Sequence, residues 1–138
     1  MWTRFLWPSD GIRPPNDVQY IVIEDGVTEI QSRCFGVLRS LIRVDSPNTV
    51  TNIRQAAFMY CASLQFIRFP GRVATIGDQA FSRTGLRKVQ LSNSIQEIGH
   101  HAFAYCEKLT NVSLDALRPN ASLNIGIFWG CTKLQNST

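Results

Sequence analysis

Short runs in which apolar and polar residues alternate recur along the chain. One contains Val89 and Leu91, and similar runs surround Ile21, Ile67 and Val112. Alternation with a period of two over so few residues is typical of a half-buried β-strand. An apolar segment with a different spacing, built around a phenylalanine, follows each run. The sequence therefore predicts short strands joined by compact returns of the chain.

The phenylalanines recur at a nearly constant interval. An Ile-Gly-x-x-Ala-Phe phrase begins at Ile76 and again at Ile98, which is 22 residues later. The full column is Phe35, Phe58, Phe81, Phe103 and Phe128. A period of this length indicates a solenoid, in which each repeat is one coil stacked on the next. We therefore predict that the five rings share one buried spine.

Other apolar columns keep the same register and are also predicted to be buried. They are Ile30, Ile53, Ile76, Ile98 and Leu123, five residues before each phenylalanine, and the closing leucines Leu41, Leu64, Leu86, Leu109 and Leu134. The repeat region, residues 18–138, divides at these leucines into about five repeats, 18–41, 41–64, 64–86, 86–109 and 109–134. Gly85 makes the third repeat one residue shorter.

One strand per repeat predicts a parallel sheet along one face of the solenoid. The return across the other face is too short for a long helix, so short helical turns or irregular arcs are expected. The predicted fold class is an α/β solenoid. In the second repeat Pro47 has no N–H to donate to a sheet, which predicts an early end to that strand.

The repeated core, Ile-Gly-x-x-Ala-Phe-x-x-Cys-x-x-Leu, resembles that of the BspA-type leucine-rich repeat family. The resemblance covers roughly residues 18 to 134. It implies a curved parallel-sheet solenoid of the leucine-rich repeat type and a role in protein recognition. Family members occur as bacterial cell-surface proteins and as large sets in protists. Since a fold alone does not define a function, the surface residues have to identify the site.

Stacked repeats expose core residues at both ends of a solenoid unless a cap covers them. Residues 1–17 lie outside the repeats and contain Trp2, Phe5 and Trp7. We interpret them as a cap over the strand of Ile21 and Ile23, with a sticky interaction arm as the alternative. No cap is apparent after the last repeat, which suggests a fragment or end-to-end self-association of two chains.

A candidate partner-binding face is formed by the outward positions of the predicted strands. These positions are Tyr20, Arg43, Phe66, Lys88 and Asn111 in one column, and Val22, Asp45, Arg68, Gln90 and Ser113 in the next. Aromatic residues and arginine are favoured where proteins bind one another. The alternative is an ordinary solvated sheet face.

The net charge of +4 is modest, and acidic residues are interspersed among the cations. We therefore predict a protein partner and no nucleic acid. No apolar run is long enough to cross a bilayer, so no membrane insertion is expected. The chain has no recognisable signal peptide. It is either intracellular, which is slightly favoured, or a piece of a longer surface protein.

Candidate chemistry is sparse. The His100-His101 pair has no third ligand in the repeat register, and no catalytic motif is present, so no enzyme activity, cofactor or metal is predicted. Cys61, Cys106 and Cys131 share one column and are expected to be buried structural thiols, although Cys106 and Cys131 lie in consecutive repeats and are candidates for a disulfide.

Two functions remain. One is a protein-interaction module, and the other is a structural segment of a longer cell-surface or adhesion-type array without a binding site of its own.

Overall fold

The computed structural model describes residues 4–7 and 12–134, which form a stack of coils. The strands are β1 (Arg4–Trp7), β2 (Tyr20–Ile23), β3 (Glu29–Ile30), β4 (Arg43–Asp45), β5 (Asn52–Ile53), β6 (Phe66–Ile67), β7 (Thr75–Ile76), β8 (Lys88–Gln90), β9 (Glu97–Ile98), β10 (Asn111–Ser113) and β11 (Ser122–Leu123). All strand pairs are parallel. The strand before Pro47 ends at Asp45 and is as long as β8 and β10, so the predicted early end of this strand is not seen.

The predicted phenylalanine spine is confirmed. The rings of Phe58 and Phe81 stack with centroids 5.1 Å apart, and Phe81 and Phe103 stack at 5.2 Å. Phe35 joins this stack at one end, 5.3 Å from Phe58, and Phe128 joins it at the other, 5.7 Å from Phe103. The first four rings are fully buried, and Phe128 is half-buried. Stacked aromatic pairs add about 0.5–1.5 kcal/mol each beyond their burial, so the spine stabilises the contact between successive coils.

The aliphatic columns are buried except at the last coil. Ile30, Ile53, Ile76 and Ile98 are inaccessible to solvent, as are the first four closing leucines. The predicted burial of Leu123 is wrong, because its side chain is 50% exposed. Leu123 lies in the last described coil, where no further coil covers it.

The sheet predicted along one face is divided in two. One part has four strands in the order β1-β2-β4-β6, and the other consists of β8 and β10. The break lies at the third repeat, which is one residue short at Gly85. A Cβ atom on Gly85 would lie 2.5 Å from the carbonyl oxygen of Ala62, so only glycine permits this close approach. The second column, β3, β5, β7, β9 and β11, is a continuous five-stranded sheet.

The expected helical turns are absent, since the described residues contain no helix and hence none that could span a membrane. Each return is instead an arc with two residues of positive φ, placed two before and two after the phenylalanine. These residues are Arg33, Val37, Ala56, Tyr60, Gln79, Arg83, His101, Tyr105, Gly126 and Gly130. A right-handed helix requires consecutive residues of negative φ, so this alternation excludes it. The fold is therefore a parallel β-solenoid rather than an α/β one.

Around each of the first four phenylalanines, three backbone hydrogen bonds join the arc to the next coil, and these three run in one direction. At each of the four junctions, three N–H groups of one arc donate to carbonyls of the next coil. At the first junction the N–H groups of Arg33, Phe35 and Val37 donate, and the same positions donate at the other three. The N···O distances range from 2.6 to 3.1 Å. Every arc therefore presents carbonyls towards the preceding coil and N–H groups towards the following one.

The described part of the N-terminal segment packs against the first coil. Strand β1 pairs with β2, and the Trp7 ring packs edge-on against Phe35 at 5.0 Å. The arginine at position 13 also takes part. Its guanidinium donates to the carbonyls of Cys34 at 3.4 Å and Gly36 at 2.7 Å. This segment thus supplies a strand, an aromatic ring and hydrogen-bond donors where a preceding coil would supply them. Trp2, the third aromatic residue of the predicted cap, lies outside the described residues.

The four cysteines are free thiols. Cys61, Cys106 and Cys131 are buried, and each thiol lies 3.0–3.1 Å from the carbonyl oxygen of the preceding coil's phenylalanine. This contact explains why the column favours a small side chain with a donor. Burial raises the pKa of Cys61 to about 12. The hydrogen bond with Cys106, together with burial, raises the pKa of Cys131.

Candidate protein-binding surface

The predicted partner-binding residues lie on the outward side of the divided sheet. Neighbours across the strands are Tyr20 and Arg43, Arg43 and Phe66, Val22 and Asp45, Lys88 and Asn111, and Gln90 and Ser113, while Arg68 directly follows β6. The division of the sheet separates Lys88, Gln90, Asn111 and Ser113 from the others. The face is therefore two adjoining surfaces with a groove between them.

A polar cluster holds the first of these surfaces in place. The Tyr20 hydroxyl donates a short hydrogen bond to Asp45, and the Arg43 Nε donates to the same carboxylate at 3.0 Å. The guanidinium carbon of Arg43 lies 5.4 Å from the centre of the Tyr20 ring. Partial desolvation raises the pKa of Asp45, but the hydrogen bonds from Tyr20 and Arg43 outweigh it and leave that pKa below its ordinary value. The carboxylate is therefore ionised at neutral pH and fixes both neighbours.

The groove between the two surfaces has a volume of about 760 Å³. Of the ten predicted residues, six line it: Arg43, Asp45, Phe66, Arg68, Lys88 and Gln90. Phe66 is 56% exposed, so a large apolar surface is accessible in the groove. Three cations and a single carboxylate surround it. The groove therefore combines an exposed aromatic ring with an excess of positive charge.

A second aromatic surface, on the arcs, was not found from the sequence. The guanidinium of Arg83 lies between two tyrosine rings, 5.4 Å from the centre of Tyr60 and 4.3 Å from that of Tyr105. The tyrosines follow their phenylalanines by two residues in alternate coils, a spacing that is visible in the sequence. Only the structure brings the arginine between them. Because the Arg83 guanidinium already contacts a ring on each side, the three side chains satisfy one another within the chain.

The two histidines lie at the junction of the last two coils. Among the described residues no group of three potential metal-ligating side chains comes together. His100 is exposed and its Nδ1 accepts from the Ile125 N–H at 3.3 Å, whereas the His101 ring packs edge-on against Trp129. Both histidine side chains thus contact residues of the following coil.

Comparison with known families gives a match over most of the chain. The sequence profile of the BspA type leucine-rich repeat region matches residues 15–136, in six copies. This region includes all ten predicted partner-binding residues. None of the curated proteins matches the chain.

Several solved structures resemble the chain. A leucine-rich repeat protein from Bacteroides ovatus superposes with a TM-score of 0.76 at 32% identity over 85% of this chain and 30% of its own length. A leucine rich cell surface protein from Faecalibacterium prausnitzii gives 0.77 at 28% identity over 91% of this chain and 33% of its own. The T. pallidum leucine-rich repeat protein, at 24% identity and a TM-score of 0.60, covers 96% of this chain and 84% of its own and shares the fold. The chain thus spans about a third of the length of the first two.

Proposed function

The chain belongs to the BspA-type leucine-rich repeat family, and on this premise we propose that it is a non-catalytic protein-interaction module. In this proposal the partner binds across the strand face, at the groove beside Phe66. Family and fold are generally those of a repeat scaffold without catalytic machinery. The observation that carries the proposal is the exposed Phe66 ring in a groove lined by cations.

The charges in the groove define the partner's chemistry. Arg43 is paired with Asp45, whereas Arg68 and Lys88 form no ion pair with any described residue. A partner segment that places an apolar side chain on Phe66 and carboxylates beside these two cations would satisfy both features. Cations at the edge of an interface speed association and select the partner. The strands of the face pair across neighbouring coils, and a face that is already formed loses less entropy on binding.

The test is capture of a partner by the intact chain and by two double variants. Phe66→Ala with Arg68→Ala removes the aromatic ring and one unpaired cation. Tyr60→Ala with Arg83→Ala is the matched control, because it removes an aromatic residue and a cation from the arcs instead. We expect the groove variant to capture at least about tenfold less partner than the intact chain, and the control to capture as much as the intact chain. Equal capture by all three proteins contradicts the proposal.

The alternative is a structural segment of a longer cell-surface or adhesion-type array. It is supported by the cell-surface description of the Faecalibacterium relative, of which this chain matches 33%. In that role the repeats act as a spacer, and the groove variant would capture as much partner as the native chain. A reading frame that continues beyond Thr138 into further repeats would favour this alternative.

A further inference from the structure

The strand face is open between β6 and β8, which belong to successive coils. No Cα atom of β6 lies within 8 Å of a Cα atom of β8, whereas β4 and β6 pair directly. The same two coils stay in contact elsewhere, because β7 pairs with β9 and the Phe81 and Phe103 rings stack 5.2 Å apart. Adjacent strands of a sheet lie about 4.8 Å apart. The separation of β6 and β8 is therefore closer to two strand spacings than to one.

Backbone hydrogen-bonding groups are left open on both sides of this gap. At the other junctions of the face, the residue before a strand accepts from the next coil, and the carbonyls of Gln19, Ile42 and Arg87 receive N–H groups at 2.8–3.3 Å. The equivalent carbonyl of Gln65 receives no backbone hydrogen bond from any described residue. The N–H groups of Arg87 and Lys88, which would donate to it, have no backbone acceptor among those residues. Unpaired donors and acceptors at a strand edge are a template for another strand.

The floor of the gap is apolar. Ile67 is half-buried, whereas its counterpart Val89, whose strand pairs with β10, is inaccessible to solvent. Phe69 also lines the groove, and its ring packs edge-on against Phe81 at 5.3 Å and Phe103 at 6.2 Å. Successive side chains of a strand point to opposite faces. A strand in the gap would thus place one row of side chains over this floor and the other row towards solvent.

The outer rim of the gap is positively charged. Arg68 and Lys88 both line the groove, one on each side of the gap, and form no ion pair with any described residue. Carboxylates on the outer row of an inserted strand would complement these two charges. We propose that the partner contributes an extended segment of alternating apolar and acidic residues, which inserts between β6 and β8 and pairs with both strands. This binding mode rests on the proposed protein-interaction function and specifies how the partner is held.

The probe for the test is a labelled peptide, Val-Glu-Val-Glu-Val-Glu-Val, whose binding to the intact chain is followed by fluorescence polarisation. Two matched peptides have the same sequence, one with N-methyl groups on the glutamates and the other with N-methyl groups on the inner valines. The N–H groups of alternate residues in a strand point to opposite edges, so each methylated peptide lacks donors on one edge. An inserted strand uses both edges, and we expect each methylated peptide to bind at least about tenfold more weakly.

Charge-reversed protein variants locate the bound peptide. We expect Lys88→Glu to weaken binding at least about tenfold, and Lys108→Glu, at an exposed lysine outside the groove, to leave the affinity within about twofold. Unchanged affinity after both methylations, weakening by only one of them, or equal affinity of the two variants overturns strand insertion, as does the absence of saturable binding. A dimer of the chain alone that Lys88→Glu abolishes also overturns it, because a second copy would then occupy the gap.

Strand insertion and the proposed function fail in different ways. Loss of the partner from the variant with Phe66→Ala and Arg68→Ala, together with peptide binding that resists both methylations, supports the interaction function and overturns strand insertion. Equal capture of the partner by that variant and by the intact chain contradicts the interaction function and, with it, strand insertion.

Discussion

The Arg13 guanidinium donates a 2.7 Å hydrogen bond to the carbonyl oxygen of Gly36, and its second nitrogen lies 3.4 Å from that of Cys34. These carbonyls stand where each later arc accepts N–H groups from the coil before it. The Arg13 side chain thus donates to two carbonyls whose counterparts in later coils accept from backbone N–H groups. A planar guanidinium suits two adjacent carbonyls because its donors form a rigid fork.

Arg13→Ala should lower the free energy of unfolding by about 1–3 kcal/mol, since two carbonyls lose a charged donor. The measurement is chemical denaturation followed by circular dichroism. Arg39→Ala, an exposed arginine in the same coil, is the control and should change stability by no more than about 0.5 kcal/mol. If both variants lose the same amount, Arg13 is not a cap.

Phe81→Ala should cost about 3–5 kcal/mol, as expected for a fully buried aromatic residue. Its ring touches Phe58 and Phe103 face to face and Phe69 edge-on, so a cavity there interrupts the spine in the middle. Thermal unfolding of Phe81→Ala beside Phe66→Ala gives the comparison, because Phe66 is exposed. A similar loss for both would show that the spine does not stabilise the contact between successive coils.

Val37→Gly should stabilise the protein by about 0.5–1 kcal/mol, although glycine usually destabilises folded chains. Val37 has a φ of 62°, a region that a β-branched residue tolerates poorly and glycine adopts freely. The control is Val22→Gly in β2, where φ is that of a strand and glycine should be destabilising. Denaturation midpoints that fall for both variants would contradict the argument.

Asp45→Asn should remove a small pH-dependent contribution to stability. The folded pKa of Asp45 lies below its ordinary value of 3.8, so the contribution is complete above that value and is lost as the pH falls through the lower folded pKa. Because the carboxylate is partly exposed, the difference at neutral pH should stay below about 1 kcal/mol. Melting temperatures of both proteins from neutral to acidic pH should therefore converge in acid. A difference that grows on acidification would contradict the assigned shift.

Cys61 should resist alkylation in the native protein at pH 8. Its pKa is raised to about 12 by burial, and only the thiolate is an effective nucleophile. Iodoacetamide followed by mass spectrometry should leave Cys61 unmodified until a denaturant is added, after which all four cysteines should react. Rapid native labelling of Cys61 would show that the column is open to solvent.

The periodicity of the sequence was sufficient to place the spine and the aliphatic columns. Residues such as Phe81 and Ile76 recur at a fixed interval because each must meet its counterpart in the next coil. The outward strand positions follow from the same register, and Phe66 and Arg68 do lie together in the groove. Burial at the last coil was mispredicted at Leu123, since the pattern carries no information on what covers the final repeat.

The conformation of the arcs could not be predicted from the sequence, because it depends on hydrogen bonds between coils. Val37 and Tyr60 carry no local signature of positive φ, and only Gly126 and Gly130 in the last repeat hint at it. The sheet divides at the third repeat, where Gly85 lies close to Ala62, and no sequence pattern reveals either feature. Arg13 caps carbonyls that are 21 and 23 residues away in the chain. Such a contact becomes evident only once the coils are stacked.

The three arc hydrogen bonds recur at every interior junction, which makes the number of coils an adjustable property of this molecule. In an inner block such as residues 76–97, the arc accepts three backbone hydrogen bonds from the preceding coil and donates three to the following coil. Duplicating or deleting such a block would leave both extremities chemically unaltered and change the reach of the molecule by about 4.8 Å. Inserting or deleting part of a block would place core positions of one coil opposite surface positions of the next. Insertions and deletions in the gene should therefore be tolerated only when they span whole repeats.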